Sequence, residues 1–265
     1  MIESIKQGFI PGMSLEDKVN KTRETLQVLM LKIMFDRGAF SNMAFVGGTA
    51  LRVLYDLRRY SEDLDFSLVE KKDYSFAKLL KDLLFELKHY GFKVEAEPKQ
   101  DKIVHSSMIK FPGLLKELGL SQVQEQKLAV KLEIDTNPPA GWKTIVIPVT
   151  RSFVFAVNSL DLPSMYATKL HACFFRRFTK GRDFYDLIWY LGKGIEPNYL
   201  LLNNAIAQTE KKDWQVTSGN FKQFMVEHLA LIDLSSARKD VERFLEDKNE
   251  LKLFDREMIL NMVQQ

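Results

Sequence analysis

Apolar and polar residues follow patterns that predict alternating helices and strands in the first part of the chain. From Leu15 to Arg37 the apolar residues recur at mainly helical spacing, and Gly38 is placed to end that helix. A short apolar run over residues 44–46 leads into two glycines, after which a helical pattern resumes over 50–55. This part of the chain therefore predicts a strand, a glycine turn and a helix.

The alternating pattern continues and then changes character. Residues 63–67 alternate polar and apolar side chains, as a strand with one polar face does. A helix is predicted over 76–90, and further strands over 92–96, 103–111, 128–135 and 143–149. After Pro163 the predicted segments are all helical: 164–178, 183–191, 199–208, 221–232 and 236–246. We therefore expect an α/β (α+β) domain with a mixed sheet over 1–160 and a helical C-terminal domain over 161–265.

Composition is typical of a folded protein in a reducing compartment. The chain has 265 residues, of which 46% are hydrophobic, enough to bury a core. Its single cysteine, Cys173, cannot form an internal disulfide and has no partner typical of a nucleophilic site. The N-terminus lacks a signal-peptide pattern, and no apolar run approaches the roughly 18 residues of a membrane span. We expect a soluble cytoplasmic protein without a membrane partner.

The distribution of charge is more informative than its sum. The formal net charge is only +3, from 38 basic and 35 acidic residues. One basic pair, Arg58-Arg59, precedes an acidic pair, and a second basic cluster comprises Arg176, Arg177, Lys180 and Arg182. Each cluster either meets a polyanion or forms a solvated basic face.

The acidic pair Asp63 and Asp65 predicts a metal site. Side chains two apart on a strand point to the same side, so the carboxylates repel unless a cation lies between them. Hard oxygen ligands suit Mg²⁺ or Mn²⁺. A bare Asp-x-Asp is more often a surface or capping detail, but the upstream turn Gly47-Gly48-Thr49 opens a helix, whose N–H groups and dipole favour phosphate. We therefore predict phosphate and metal sites on neighbouring elements.

A third carboxylate is expected on an adjacent strand. In the run 130–135, Lys131, Glu133 and Asp135 share one face, and the apolar residues share the other. Glu133 is the preferred candidate, with Asp135 as the alternative. An ordinary half-buried strand with a polar outer face would show the same pattern.

Two segments resemble a known family. The first comprises Phe-Val-Gly-Gly-Thr-Ala-Leu over 45–51 and Arg-Tyr-Ser-Glu-Asp-Leu-Asp-Phe-Ser over 59–67. It resembles the signature of the AbiEii-type nucleotidyltransferase toxins, a branch of the DNA polymerase β-like superfamily. The second comprises Ala-Thr-Lys-Leu-His-Ala over 167–172, Arg176, and Lys-Gly-Arg-Asp-Phe-Tyr-Asp-Leu over 180–187. It resembles the downstream lysine and Arg-Asp-x-x-Asp-Leu motifs of that family.

This resemblance implies a polymerase β-like nucleotidyltransferase domain followed by a helical domain, and it implies roles for individual residues. The positions that match nucleotide-binding residues are Gly47, Gly48, Thr49, Ser61, Lys169, Arg182 and Asp186. The positions that match catalytic residues are Asp63 and Asp65, as metal ligands, and Lys169 and Asp183, while Glu133 is the candidate for the third metal-binding carboxylate. Lys169 matches a lysine that contacts the triphosphate. The essential aspartate of the last motif is Asp183 or Asp186, and that choice stays open.

The downstream motif also has a physical interpretation of its own. On one continuous helix, Lys169 shares a face with Cys173, and Arg176 shares one with Lys180, which would give a positive ridge able to meet phosphates. The alternative for Asp183 is an ordinary helix cap, with Arg182 as its structural partner.

We therefore expect a Mg²⁺-dependent nucleotidyltransferase that uses an NTP as co-substrate and transfers NMP to an acceptor hydroxyl. The resemblance implies the 3′ end of tRNA as acceptor and a toxin role in a type IV toxin–antitoxin or phage-defence pair, with a cognate antitoxin protein as partner. Two alternatives remain open. One is nucleotidyl or phosphoryl transfer to a protein hydroxyl, and the other is a catalytically silent nucleotide- or RNA-binding module.

Overall fold

The computed structural model of the protein describes residues 1–100, 102–210 and 215–263. The chain divides into two compact units. The first comprises residues 1–55, 60–138 and 146–159, and the second comprises 56–59, 139–145 and 160–265. Among the described residues, each helix is too short or too polar to cross a membrane.

A mixed sheet of seven strands forms within the described residues. The strands are β1 (Met43–Val46), β2 (Asp63–Leu68), β3 (Pro98–Lys99), β4 (Val104–Pro112), β5 (Lys127–Asp135), β6 (Thr144–Thr150) and β7 (Val154–Leu160). Their order across the sheet is β3-β4-β5-β2-β1-β7-β6. Strand β2 is antiparallel to β1 on one side and parallel to β5 on the other. The strand with the paired carboxylates is therefore fixed on both sides by hydrogen bonds.

The helices of the first unit lie around this sheet. They are α1 (Ile2–Gln7), α2 (Leu15–Asp36), α3 (Gly47–Tyr55), α4 (Phe76–His89) and α5 (Leu114–Glu117). Helix α2 begins after Ser14, whose hydroxyl accepts a hydrogen bond from the Asp17 N–H. It packs against α4 and β5. The apolar residues of β5 are buried and its intervening residues are more exposed, so the predicted alternation is confirmed.

The second unit is helical, as predicted. Its helices are α6 (Leu162–Phe175), α7 (Gly181–Gly192), α8 (Tyr199–Glu210), α9 (Phe221–Ala230), α10 (Leu234–Val241) and α11 (Arg256–Met262). Helix α6 packs against α7 and α8, while α10 and α11 pack against α7. At the start of α7 the backbones approach closely, because a Cβ on Gly181 would fall 1.8 Å from the carbonyl oxygen of Ala237. A glycine is therefore required at this crossing.

Two strand assignments differ from the sequence prediction. The predicted strand 92–96 is wrong, because within it only Glu95 pairs with β4, through one isolated bridge to Lys110. The regular strand that pairs with β4 on this side is the short β3, which lies after the predicted segment. Strand β7 was not predicted, although it pairs in parallel with β1. Ser159 of this strand is buried, and its hydroxyl donates a hydrogen bond to the Phe45 carbonyl at 2.7 Å. A polar residue therefore occupies a buried position, and the sequence lacks the apolar residue that would have indicated a strand.

Candidate functional site

The predicted carboxylates lie side by side on β2 and β5. Asp63 and Asp65 are half-buried on one face of β2, whereas Leu64 and Phe66 point into the core. In the register, Asp65 lies directly opposite Glu133 on β5. Asp135, the alternative third ligand, lies two residues further along β5, which is about 7 Å at the rise of a strand. In register, therefore, Glu133 is the nearer neighbour of Asp65.

Lys131 supplies a positive charge within this group of carboxylates. Its ammonium Nζ lies 2.8 Å from Oε1 of Glu133, and its backbone lies opposite Asp63. Burial alone would lower the pKa of Lys131, but the hydrogen bond to Glu133 and the charges of Glu133, Asp63 and Asp65 raise it above its usual value. A single ammonium group therefore balances part of the repulsion among three carboxylates.

The donor set fits a divalent cation of the Mg²⁺ type. Within the part of the chain that the structure describes, no three His, Cys, Asp or Glu side chains are gathered closely enough to form an all-protein metal site. Mg²⁺ does not need such a cage, because it is usually held by one or two carboxylates, several waters and the phosphates of a substrate. Asp63 and Asp65 offer those two carboxylates. Glu133 is a third donor only if it separates from Lys131.

The glycine turn lies directly against this carboxylate pair. Gly47 has φ of +78°, and a Cβ at this position would fall 2.5 Å from Oδ2 of Asp65. Helix α3 begins at Gly47 itself and continues through Gly48, so the N–H groups of its first turn are not needed within the helix. A helix start that attracts anions therefore adjoins two carboxylates that attract cations.

Two side chains hold the beginning of β2 in place. Thr49 is fully buried, and its hydroxyl donates a hydrogen bond to the carbonyl oxygen of Asp63. The Gln27 amide nitrogen donates to the carbonyl of Ser61 at 3.1 Å and to that of Asp63 at 3.4 Å. Gln27 was not identified from the sequence, and its only signal was a polar residue on the apolar side of α2. The predicted phosphate contacts of Thr49 and Ser61 stay predictions.

The far end of α3 is fixed by a buried charge cluster that the sequence analysis missed. Nε of Arg52 lies 2.9 Å from Oε1 of Glu24, and Nη1 of Arg151 lies 3.0 Å from the same oxygen. Burial would raise the pKa of Glu24, but Arg52, Lys21 and Arg151 lower it below its usual value. Arg151 also donates to the carbonyls of Arg52 and Val53 near the C-terminus of α3, where positive charge is favourable.

The second unit gathers motif residues into an ionic cluster that is buried except for the exposed Arg176. Nζ of Lys169 lies 2.7 Å from Asp183 and 2.8 Å from Asp186. The guanidinium of Arg59 donates two hydrogen bonds to Asp186, at 2.7 and 2.6 Å, and Arg176 lies 2.8 Å from Asp183. We call these five residues the ionic cluster. The sequence places Arg59 in a family motif and in the basic pair Arg58-Arg59, and the structure gives this buried side chain two hydrogen bonds to a fully buried carboxylate instead of a solvated face.

Charge pairing in the ionic cluster overcomes the effect of burial. Burial would raise the pKa of Asp183, but Lys169 and Arg176 lower it to about 2. Burial would likewise lower the pKa of Lys169, whereas Asp183 and Asp186 raise it above its usual value. Asp183 and Lys169 are therefore both ionised at neutral pH.

The structure corrects the physical interpretations made for this segment. Helix α6 ends at Phe175 and Arg176 has an extended backbone, so the continuous positive ridge predicted along this helix is wrong. The helix-cap interpretation of Asp183 is wrong too, because its carboxylate pairs with side chains, and Arg182 instead lies over the Phe244 ring, 4.2 Å from its centroid. Cys173 is buried, and burial raises the pKa of its thiol well above the usual value, as suits a packing role.

The chain is similar to known proteins over most of its length. The family model described as the nucleotidyl transferase AbiEii toxin of type IV toxin–antitoxin systems matches residues 29–257. The crystal structure of JHP933 from Helicobacter pylori is similar at 19% identity and a TM-score of 0.46, over 91% of this chain and 98% of that one. A second H. pylori crystal structure, provisionally described as that of a nucleotidyltransferase, is similar at 19% identity and a TM-score of 0.46, over 89% of this chain and 94% of that one. A comparison with curated proteins gives no match.

The family model covers most of the chain, including both motif segments and nearly all of the elements described above. The resemblance noted in the sequence is thereby confirmed, and nucleotidyl transfer is the activity that the family carries. The chain belongs to the AbiEii nucleotidyl transferase toxin family of type IV toxin–antitoxin systems.

Proposed function

We propose that this protein transfers NMP from an NTP to the hydroxyl of an RNA acceptor, with Mg²⁺ or Mn²⁺ as cofactor. Membership of the family supplies the reaction class. The observation that carries the assignment of the site is the contact between Gly47 and Asp65, because it joins a phosphate-binding helix start to the carboxylate pair. A nucleoside triphosphate with its cation needs a phosphate-binding group and metal-binding carboxylates within a few ångströms of each other.

In the first unit, one set of groups binds the phosphates and another binds the cation. The N–H groups in the first turn of α3 bind triphosphate oxygens, and Gly47 allows the close approach. Asp63 and Asp65 would hold the cation, with Glu133 as the third candidate. A Mg²⁺ ion held there would supply positive charge to neutralise the phosphates as pyrophosphate leaves. The hydrogen bonds from Thr49 and the Gln27 amide hold β2, and therefore both carboxylates, in a fixed position relative to α3.

In the transfer, the acceptor oxygen forms a bond to the α-phosphorus while the bond from that phosphorus to the bridging oxygen breaks. Pyrophosphate carries away the electron pair, and the hydroxyl proton passes to a carboxylate or to water. The remaining matched positions stay in this proposal as residues that assist nucleotide use: Ser61, Lys169, Arg182, Asp183 and Asp186. For Lys169, Asp183 and Asp186, which belong to the ionic cluster, we propose a positioning role through their ion pairs.

The 3′ end of tRNA is our proposed acceptor, and a cytoplasmic toxin restrained by a cognate antitoxin, in a phage-defence setting, is our proposed biological role. The type IV toxin–antitoxin family supports a nucleotide substrate and an antitoxin partner. The alternatives differ in which molecule, if any, receives the transferred group. A protein hydroxyl as acceptor, phosphoryl transfer, and a silent binding module each give a different result in one labelling experiment.

That experiment incubates the protein with NTPs labelled at the α- or γ-phosphate, total RNA, cell extract and Mg²⁺. We expect α-label in RNA with wild type and none with Asp65→Asn. The matched control is Asp36→Asn, which makes the same change at an exposed residue of the first unit and should label RNA like wild type. Label in protein, or transfer of the γ-label, would identify one of the alternative transfers. Absence of label in every fraction would favour the silent module, and full activity of Asp65→Asn would reject the site.

A further inference from the structure

The face of the sheet that carries the catalytic carboxylates continues to the edge of the sheet. Asp65 on β2 lies opposite Glu133 on β5, which lies opposite Ser106 on β4, which in turn lies opposite Lys99 on β3. Directly opposite residues present their side chains on the same face. At about 4.8 Å between strands, this row places Ser106 about 10 Å and Lys99 about 14 Å from Asp65.

A second row runs beside the first. It contains Asp63 on β2, Lys131 on β5 and Met108 on β4. Both rows therefore begin at a carboxylate of β2 and extend over β5 and β4. In the first row the charge changes from negative at Asp65 and Glu133 to positive at Lys99, and in the second row it changes from negative at Asp63 to positive at Lys131.

A cavity of about 410 Å³ lies over the outer part of these rows. Three lysines line it, namely Lys99, Lys110 and Lys131, together with Ser106, Met108 and two glutamates. We call it the lysine cavity. Lys131 belongs both to this cavity and to the carboxylate group, through its 2.8 Å contact with Glu133. The cavity therefore adjoins the proposed reaction site within one unit of the structure.

The balance of charge in the lysine cavity favours an anionic ligand. Its two glutamates are Glu95 and Glu97, and Glu95 forms an ion pair with Lys127, which lies outside the cavity lining. Lys131 is likewise paired with Glu133, outside the lining, so Lys99 and Lys110 remain against Glu97 and the net charge of the lining is positive. Lysine ammonium groups bind phosphates as compact point charges, and the hydroxyl of Ser106 is a further donor.

We propose that the lysine cavity binds the backbone phosphates of the acceptor RNA next to its 3′ end, so that the terminal hydroxyl reaches the side of Asp63 and Asp65. This inference rests on the proposed nucleotidyl transfer and adds the surface that selects the acceptor class. A single RNA strand carries a phosphate at every nucleotide and a free hydroxyl at its end, which matches lysines at one end of the rows and carboxylates at the other. A peptide with a reactive hydroxyl has no such repeating charge.

The test compares two double variants that remove the same charge. Lys99→Gln with Lys110→Gln alters the lysine cavity. Lys93→Gln with Lys116→Gln alters a separate cavity of about 450 Å³ in the same unit and serves as the matched control. Binding of a fluorescent single-stranded oligoribonucleotide is measured by anisotropy at several salt concentrations without NTP. Steady-state transfer to the same RNA gives the KM values for RNA and for NTP.

We expect the variant of the lysine cavity to bind RNA about 10-fold more weakly than wild type. The slope of log affinity against log salt should become shallower by about 1.4, since each phosphate contact to a single strand contributes about 0.7. The KM for RNA should rise in parallel while the KM for NTP stays within twofold. The control variant should match wild type in every measurement.

Failure of this inference is distinguishable from failure of the proposed function. Equal RNA binding by wild type and the Lys99/Lys110 variant, or an equal loss in the control, would overturn the lysine cavity as the RNA site even if transfer to RNA occurs. Selective loss of RNA binding in a protein that transfers no nucleotide would support the RNA site and reject the reaction. Transfer to a protein acceptor that is unaffected by the variant would reject RNA as the ligand.

Discussion

The carboxylate of Asp65 lies so close to Gly47 that a Cβ on Gly47 would fall 2.5 Å from Oδ2 of Asp65. This distance is shorter than any ordinary contact between a Cβ and an oxygen. Residue 47 therefore controls two properties at once, the backbone path into α3 and the position of a proposed metal ligand.

Gly47→Ala should lower nucleotidyl transfer by roughly 100-fold, because displacing a reacting group by about 1 Å has an effect of that order. The matched control is Gly38→Ala. Gly38 also has a positive φ, +69°, but a Cβ there meets no atom within 4 Å, so this variant should lose only about 1 kcal/mol of stability through backbone strain. Activity assays and urea unfolding separate the two effects. A similar loss of activity in both variants would show that the contact with Asp65 is not the cause.

Lys131→Gln should bind Mn²⁺ about fivefold or more tightly than wild type, because the ammonium group competes with a metal ion for Glu133, Asp63 and Asp65. Isothermal titration calorimetry without nucleotide measures the Mn²⁺ affinity directly. Lys127→Gln removes the same charge from an exposed ion pair with Glu95 and should leave the affinity unchanged. Weaker Mn²⁺ binding by Lys131→Gln would contradict the competition and would indicate that this lysine organises the carboxylates.

Arg59→Met should destabilise the protein by about 3–5 kcal/mol, since it leaves the fully buried Asp186 without its two guanidinium hydrogen bonds. The exposed pair of Lys32 and Asp36 provides the comparison, because Lys32→Met should cost less than about 1 kcal/mol. Urea unfolding monitored by circular dichroism gives both values. Equal costs would mean that Lys169 alone compensates the charge of Asp186.

The lowered pKa of Asp183 predicts that part of the protein's stability is lost in acid. Its pKa is about 2 in the folded protein, below the value of 3.8 for an unperturbed aspartate, so its contribution to stability is fully present above pH 4 and is lost as pH falls toward 2. That contribution is about 2 kcal/mol. The difference in unfolding free energy between wild type and Asp183→Asn should therefore shrink between pH 4 and pH 2. A difference that stays constant over this range would refute the linkage.

The elements around the proposed reaction site could be predicted because their signals are local. Gly47 and Gly48 mark the start of a helix, and the alternation through Asp63 and Asp65 marks a strand, so a few neighbouring residues suffice. The pairing of Asp65 with Glu133 rather than with Asp135 did not follow from the strand assignments, because the register between β2 and β5 is set by the folded sheet. Strand β7 lacked such a signal, because Ser159 is satisfied by a hydrogen bond to Phe45, far away in sequence.

The ionic cluster could not be derived from local patterns. Asp183 sits in the first turn of α7, where an acidic residue is normally explained by the helix dipole. Its true partners, Lys169 and Arg176, lie on the preceding helix and its end, and Asp186 is bound by Arg59 from a distant segment. Spacing along one helix cannot reveal contacts that tertiary folding creates.

The short segment 56–59 sets a limit on how this protein can be dissected. Although it lies between α3 and β2 in sequence, it belongs to the second unit, and its last residue, Arg59, is the bidentate partner of Asp186. A fragment beginning at Leu160 would contain the helices but would leave a buried carboxylate without its guanidinium. The helical unit therefore cannot be obtained intact by truncation, and an expression clone of it must supply residues 56–59 as well as 139–145.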